Sequence, residues 1–294
     1  MKYLLLLMAI ITSIYFLKPS NTQTPPKQTQ TKAPIQNTKT NPYPNEQRSS
    51  GGLAKLYFKE RPDVYVNEKK INVFAVKQKN DWLVLLPISL YKGSNTLRLT
   101  SSTPSLFQVH LIKLEEPHYQ TQYINVKNKE FVKASKKTLE RIKKDSALKR
   151  KSFARHTRIY IKKLQMIKPL DSKLRHDFGR KRFFNRVAKN PHAGIDLSGK
   201  KGDKIKAPLS GTVILLGNLF YNGNMMILDH GQGLMTAYSH LSKYLKQDGD
   251  WVRQGDYIGE VGSTGRATGP HLHWSVYLNG EPINPDLFLE GASL

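Results

Sequence analysis

The sequence predicts a mainly β protein. An antiparallel β-sheet domain with a loop-formed groove is expected at the C-terminal end, preceded by a small β-sandwich-like domain and a basic connector helix. Three observations predict this. Short runs rich in β-branched and aromatic residues recur through residues 53–126. Glycines punctuate equally short apolar runs from Leu170 onward. Between the two, Ala134 to Arg155 carries helical spacing among many Lys and Arg residues.

Residues 3–17 form one apolar run between Lys2 and Lys18. The run is short for a spanning helix and fits the core of an export signal. No A-x-A cleavage site follows, so residues 1–17 are expected to be either a signal peptide or an uncleaved membrane anchor. Both readings place the rest of the chain outside the cytoplasm. Residues 18–52 are Thr, Gln, Pro, Asn, Lys and Ser with almost no large apolar side chain. Such a tract cannot bury enough surface to offset the entropy of ordering, and it is expected to be a disordered polar linker.

Residues 53–126 then supply strand-like runs: Leu53 to Phe58, Val64 to Val66, Ile71 to Val76, Trp82 to Leu86, Thr96 to Leu99 and Phe107 to Ile112. Pro62, Asn67, Asn80-Asp81 and Gly93 break them. His110 and His118 are isolated here and read as structural or exposed. Residues 127–167 form the basic helical connector, with Ser135 as the cap and Leu139, Ile142 and Leu148 as an apolar stripe. Residues 168–294 make up the C-terminal domain, expected to be antiparallel throughout.

Charge and cysteine content narrow the chemistry. The formal net charge is +25, and residues 127–189 hold about half of the Lys and Arg. This favours an anionic partner, whether nucleic acid, membrane surface or acidic wall polymer. Export argues against nucleic acid, and no nucleic-acid reading module is recognisable. With no cysteine in the chain, disulfides and thiolate-bound metals are excluded, so a metal must sit on His, Asp or Glu.

The chemistry-bearing motif is Gly269-Pro270-His271-Leu272-His273-Trp274, together with Pro191-His192-Ala193-Gly194-Ile195-Asp196. On a strand, residues two apart share a face, so His271 and His273 would present their imidazoles side by side. Pro191 and Gly194 oppose a helix, so His192 and Asp196 are expected on a loop entering a strand. Three such ligands with one open position suit a catalytic zinc. His240 follows an apolar strand and is placed at a groove edge; taken alone it reads as a surface histidine. His230 reads as structural. The loop around Arg266 lacks the Gly-Lys-Ser/Thr ending of a phosphate cradle and reads as a tight turn.

Residues 168–289 resemble the catalytic domain of lysostaphin-type (LytM-like) zinc endopeptidases, which cleave peptide cross-links of bacterial walls. The resemblance is carried by several segments: Asp177-Phe178-Gly179-Arg180; His192-x-Gly194-x-Asp196; Gly223-Asn224 through Asp229-His230-Gly231; and Tyr238-Ser239-His240-Leu241-Ser242. Gly262-Ser263-Thr264-Gly265 through His273 and Pro282-Ile283-Asn284-Pro285 complete it. The stretch from Tyr119 through Arg141 also resembles the linker of Gram-negative members. The resemblance implies one zinc ion held by His192, Asp196 and His273, with His240 and His271 as the catalytic pair. No glutamate stands in the usual metalloprotease place, so His271 is expected as general base, with His240 orienting water or stabilising the oxyanion, or the two with these roles exchanged. It further implies a peptidoglycan substrate, the D-alanyl–diaminopimelate bond in preference to glycine bridges, and a place in the periplasm or on the inner membrane facing it. The competing expectation is a non-catalytic wall-binding regulator or activator of wall amidases. The cluster Arg180-Lys181-Arg182, preceded by His176, departs from the family pattern.

Overall fold

A computed structural model describes residues 42–91, 95–159 and 163–289. The N-terminal apolar run, the linker as far as residue 41, and Gly93 lie outside the described residues. All described residues belong to one compact unit, 40–294. The protein is mainly β, as the short β-branched runs imply.

The largest sheet runs in the order Ile195–Ser198, His271–Leu278, Leu234–Leu241, Gly223–Gly231, Gly211–Leu219 and Trp251–Val252. Glu281–Ile283 pairs off this path with His271–Leu278. Every pairing in it is antiparallel. Along His271–Leu278 the period of two is plain: Leu272, Trp274 and Val276 are fully buried, whereas His271 and His273 face the cleft. A small sheet of Lys204–Lys206, Tyr257–Glu260 and Lys243–Tyr244 closes one side. The expectation of a purely antiparallel C-terminal region needs one correction. Lys181–Phe184 pairs in parallel with Thr121–Ile124, a segment far upstream. A parallel partner leaves no hairpin signal in sequence, because the connection is long.

The N-terminal strands form a three-stranded sheet (Leu53–Phe58, Trp82–Pro87, Phe74–Lys77) and a four-stranded sheet (Lys69–Ile71, Asp63–Val66, Thr96–Ser102, Phe107–Lys113). Between them lies a core containing Ala54, Val64, Val84, Leu86, Leu99 and Ile112. The other face of the three-stranded sheet is also covered. Leu53, Phe74, Leu83 and Leu85 join the core of the C-terminal sheet with Trp274 and Phe288. This accounts for the unbroken apolar run Leu83 to Leu86: a strand covered on both faces has no polar alternation to show.

Two further differences concern the connecting segments. The polar tract expected to run disordered to Gly52 is held from Pro42 onward by backbone hydrogen bonds. Asn45 N–H donates to Leu287 O at 2.8 Å, Gln47 N–H to Leu53 O at 2.9 Å and Leu164 N–H to Pro42 O at 2.7 Å. Main-chain pairing of this kind leaves no mark on side-chain composition. The helix Lys136–Phe153 forms, and its Ser135 cap accepts from Thr138 N–H as expected. Its apolar stripe is not its docking face, however, since Leu139 and Leu148 stay exposed. The helix is fastened instead to the turn at 218–222. Arg141 donates to Asn218 Oδ1 (2.8 Å), Asp145 accepts from Phe220 N–H (2.7 Å) and Lys149 donates to Asn222 Oδ1 (3.3 Å). Phe153 stacks on Tyr277 with ring centroids 4.0 Å apart. Among the described residues, no helix is long and apolar enough to cross a membrane.

Candidate metal centre and catalytic cleft

Antiparallel pairing brings the two distant motifs together. Ile195–Ser198 lies against His271–Leu278 with Asp196 opposite His273 and Ser198 opposite His271. His192 sits on the loop just ahead of that strand, pinned by its N–H to Arg180 O (3.0 Å) and its carbonyl to Gly179 N–H (2.8 Å). Gly194 makes the approach possible. A Cβ there would stand 2.5 Å from Trp274 O, 2.4 Å from Ser275 Oγ and 2.9 Å from His273 Cε1.

Three lone pairs converge at this point. His192 Nε2 is 2.9 Å from His273 Nδ1 and 3.2 Å from Asp196 Oδ1, and His273 Nδ1 is 2.9 Å from the same Oδ1. A partner on the far side of each ring lets the inward nitrogen stay bare. His192 Nδ1 faces Asp177 O at 3.0 Å, and a carbonyl can only accept, so this nitrogen carries the proton and Nε2 is bare. His273 Nε2 meets Ser275 Oγ at 3.0 Å, which leaves Nδ1 for the centre. Two bare imidazole nitrogens and a carboxylate oxygen within one small space repel one another unless a cation lies among them. The donor set is also the right one: neutral imidazoles and a carboxylate are zinc ligands, each steadied by a hydrogen bond from its outer side. The residues fit a single divalent ion.

The carboxylate is held as firmly as the rings. Asp196 Oδ2 accepts from Arg182 Nη2 at 3.1 Å, which leaves Oδ1 for the centre. Asp196 N–H donates to the buried Asp177 Oδ1 at 3.1 Å. Burial raises the Asp196 pKa, but the closeness of His192 and His273 outweighs it and holds the carboxyl well below its usual range. For His273, burial dominates and lowers the pKa to about 4. Sequence reasoning assigned no role to Asp177 and saw Arg182 only as part of a basic cluster. Both act on residues of the loop and strand that follow, and no spacing rule announces that.

His271 and His240 flank the centre in a cleft of about 540 Å³. His271 Nδ1 donates to Gly269 O at 2.8 Å, and its Nε2 lies 3.9 Å from Asp196 Oδ1. His240 Nδ1 donates to Thr264 O at 2.7 Å. Both rings therefore carry a bare Nε2. Their centroids are 4.7 Å apart. His240 lies within the strand Leu234–Leu241 and adopts φ +67° at a register shift. A non-glycine residue in the left-handed region is strained and persists only where its surroundings hold it. Here Asn222 O accepts its N–H at 2.8 Å. Burial, followed by charge on His273 and His271, lowers its pKa to about 3.

The other histidines stand apart. His230 is fully buried between Ser210 O and Thr236 Oγ1, each at 2.8 Å, in the structural role expected of it. His110 bonds Ser101 Oγ at 2.7 Å. The loop at Arg266 does turn tightly, with Gly265 at φ +70°. Its guanidinium is not idle, however: it lies 4.1 Å from the ring centroid of Phe184 and 4.6 Å from that of Tyr221, in the wall of the cleft. Burial lowers its pKa to about 10, so it remains a cation near neutrality.

All five cleft residues fall within residues 190–285, the span that matches the model of peptidase family M23. That span is a peptidase family M23 domain. Its M23 domain is 43% identical over 94 residues to the DD-carboxypeptidase/endopeptidase Mpg of Neisseria meningitidis serogroup B, covering 32% of this chain and 22% of that protein. It is 40% identical over 121 residues to the peptidoglycan DD-endopeptidase ShyA of Vibrio cholerae serotype O1, covering 40% of this chain and 28% of that protein. The match thus spans about a quarter of the length of these curated relatives. Among solved structures, a putative peptidase M23 from Pseudomonas aeruginosa is 28% identical with a TM-score of 0.66. That likeness covers 83% of this chain and 95% of that one, so it reaches well beyond the M23 domain into the N-terminal sheets.

Proposed function

We propose that this M23 peptidase is a zinc-dependent endopeptidase that hydrolyses peptide cross-links of bacterial peptidoglycan, at the D-alanyl–diaminopimelate bond. The observation that carries the reading is the convergence of the His192, Asp196 and His273 lone pairs beside two further imidazoles with bare Nε2 atoms. Binding alone would need no such arrangement, which disfavours a non-catalytic regulator. The activities for which Mpg and ShyA are named point the same way. The apolar run 3–17 supports action outside the cytoplasm, in the periplasm or on the inner membrane facing it. The strongly basic surface suits an anionic wall polymer.

His192 through Nε2, His273 through Nδ1 and Asp196 through Oδ1 would hold the metal. Zinc bound there supplies Lewis acidity and a water acidified to a pKa near 7. The chain's own contribution lies in the two flanking imidazoles. His271, with Nδ1 committed to Gly269 O, can receive a proton at Nε2 and serves as general base. His240 has the same tautomer and resists protonation, so its Nε2 offers a lone pair and no proton. It is suited to orienting water or a substrate N–H and is unsuited to donating to an oxyanion. Asp177 and Arg182 orient the ligands.

Digestion of purified peptidoglycan tests the reading. Cross-linked muropeptides should fall to monomers with the zinc-loaded chain, persist after chelation, and fall again when zinc is restored. Cross-links that survive the zinc-loaded chain would refute it.

A further inference from the structure

The arginines of the cleft differ in what they hold. Arg182 is engaged with Asp196 at 3.1 Å, and Arg175 donates to Ser198 Oγ at 2.9 Å. Arg266 has its guanidinium carbon over two rings, 4.1 Å from the Phe184 centroid and 4.6 Å from that of Tyr221, and among the described residues no acceptor meets its guanidinium N–H groups. A guanidinium donates its hydrogen bonds in its own plane. In that plane its paired N–H groups match the two oxygens of a carboxylate. The one carboxylate lining the cleft, among the described residues, is Asp196, already shared by Arg182 and the metal ligands.

Arg266 is also fixed relative to the reacting centre. Its backbone N–H donates to Tyr221 O at 2.9 Å, and the His240 backbone N–H donates to the adjacent Asn222 O at 2.8 Å. One turn of chain thus sets both the imidazole and the guanidinium. In a D-alanyl–diaminopimelate cross-link, the carbon bonded to the scissile nitrogen carries a free carboxylate. A glycine bridge has none at that place. Resting on the endopeptidase reading above, the geometry points to Arg266 as the specificity residue that receives this carboxylate and selects such cross-links.

The test compares two muropeptide dimers, identical except that this carboxylate is free in one and amidated in the other. With the zinc-loaded full chain, kcat/KM should favour the free acid by about ten- to hundredfold, the range of a lost charge-assisted hydrogen bond. Arg266→Gln should bring the two dimers level. Arg266→Lys, which keeps the charge but not the fork, should give an intermediate preference. The inference is overturned if amidation leaves the wild-type rate unchanged, or if Arg266→Gln keeps the preference. Zinc content and melting temperature monitor folding of the variants, and the wild-type comparison decides even if Arg266→Gln does not fold. If the zinc-loaded chain cleaves neither dimer, the endopeptidase reading fails separately. Titration calorimetry with the same dimers then decides on Arg266: a free-acid preference in Kd that Arg266→Gln abolishes supports its role, and the absence of one overturns it.

Discussion

Replacing Gly194 by Ala tests whether close backbone approach assembles the metal centre. The added Cβ would meet Trp274 O at 2.5 Å, and real Cβ contacts essentially never fall under 3.0 Å, so strand and loop must separate by at least 0.5 Å. Ser275 Oγ at 2.4 Å could rotate away, but the carbonyl belongs to the strand that carries His273. Overpacking of this kind costs about 1–3 kcal/mol. A metal held there would feel the same displacement, because His192 and Asp196 lie on the loop side and His273 on the other, with candidate ligand atoms 2.9–3.2 Å apart. Zinc sites tolerate roughly 0.2 Å in ligand distance, so a shift more than twice that should weaken binding by at least about tenfold. Chemical denaturation of the zinc-free chain reads the stability loss, and competition with a chromophoric chelator reads the affinity. Wild-type values in both would refute the reasoning.

His271→Ala should retain zinc, since the three ligands are untouched, while turnover falls by roughly 10²–10⁴, the contribution of a general base; metal analysis and muropeptide chromatography check the two halves, and unchanged turnover would remove His271 from the base role. His230 governs a pH effect. Its pKa is about 4 in the folded chain against 6.5 when exposed, so the unfolded chain binds more protons between those values. Its contribution is complete above pH 6.5 and is lost as the pH falls toward 4, amounting to about 3 kcal/mol. Denaturation midpoints from pH 7 to 4 should therefore drop less steeply in His230→Gln than in wild type, and parallel curves would refute this.

Much of the site was legible because strand periodicity is local. His271-x-His273 on a strand, and His192 with Asp196 on a loop entering another, follow from Pro, Gly and alternation alone. The connector helix, its Ser135 cap and the two small N-terminal sheets follow from equally local rules. The rest depends on partners far apart in sequence. The left-handed φ of His240 has no mark in a run reading Tyr238-Ser239-His240, and distant acceptors, Asn222 O for its backbone N–H and Thr264 O for its ring, sustain it. Arg266 looked like a turn residue because the rings that clasp it come from positions 184 and 221. The helix stripe misled because the polar residues Arg141, Asp145 and Lys149 make the attachment. Residues 42–52 carry too few apolar side chains to predict order, and they are held by their main chain.

The strand Trp82–Pro87, apolar on both sides, has a practical consequence for anyone who would trim this chain. Excising everything before residue 168 would strip Leu53, Phe74, Leu83 and Leu85 from the neighbours they cover. The leftover piece would display a bare greasy wall to water and invite clumping. The M23 domain and its upstream companion are therefore better treated by protein engineers as inseparable than as interchangeable modules.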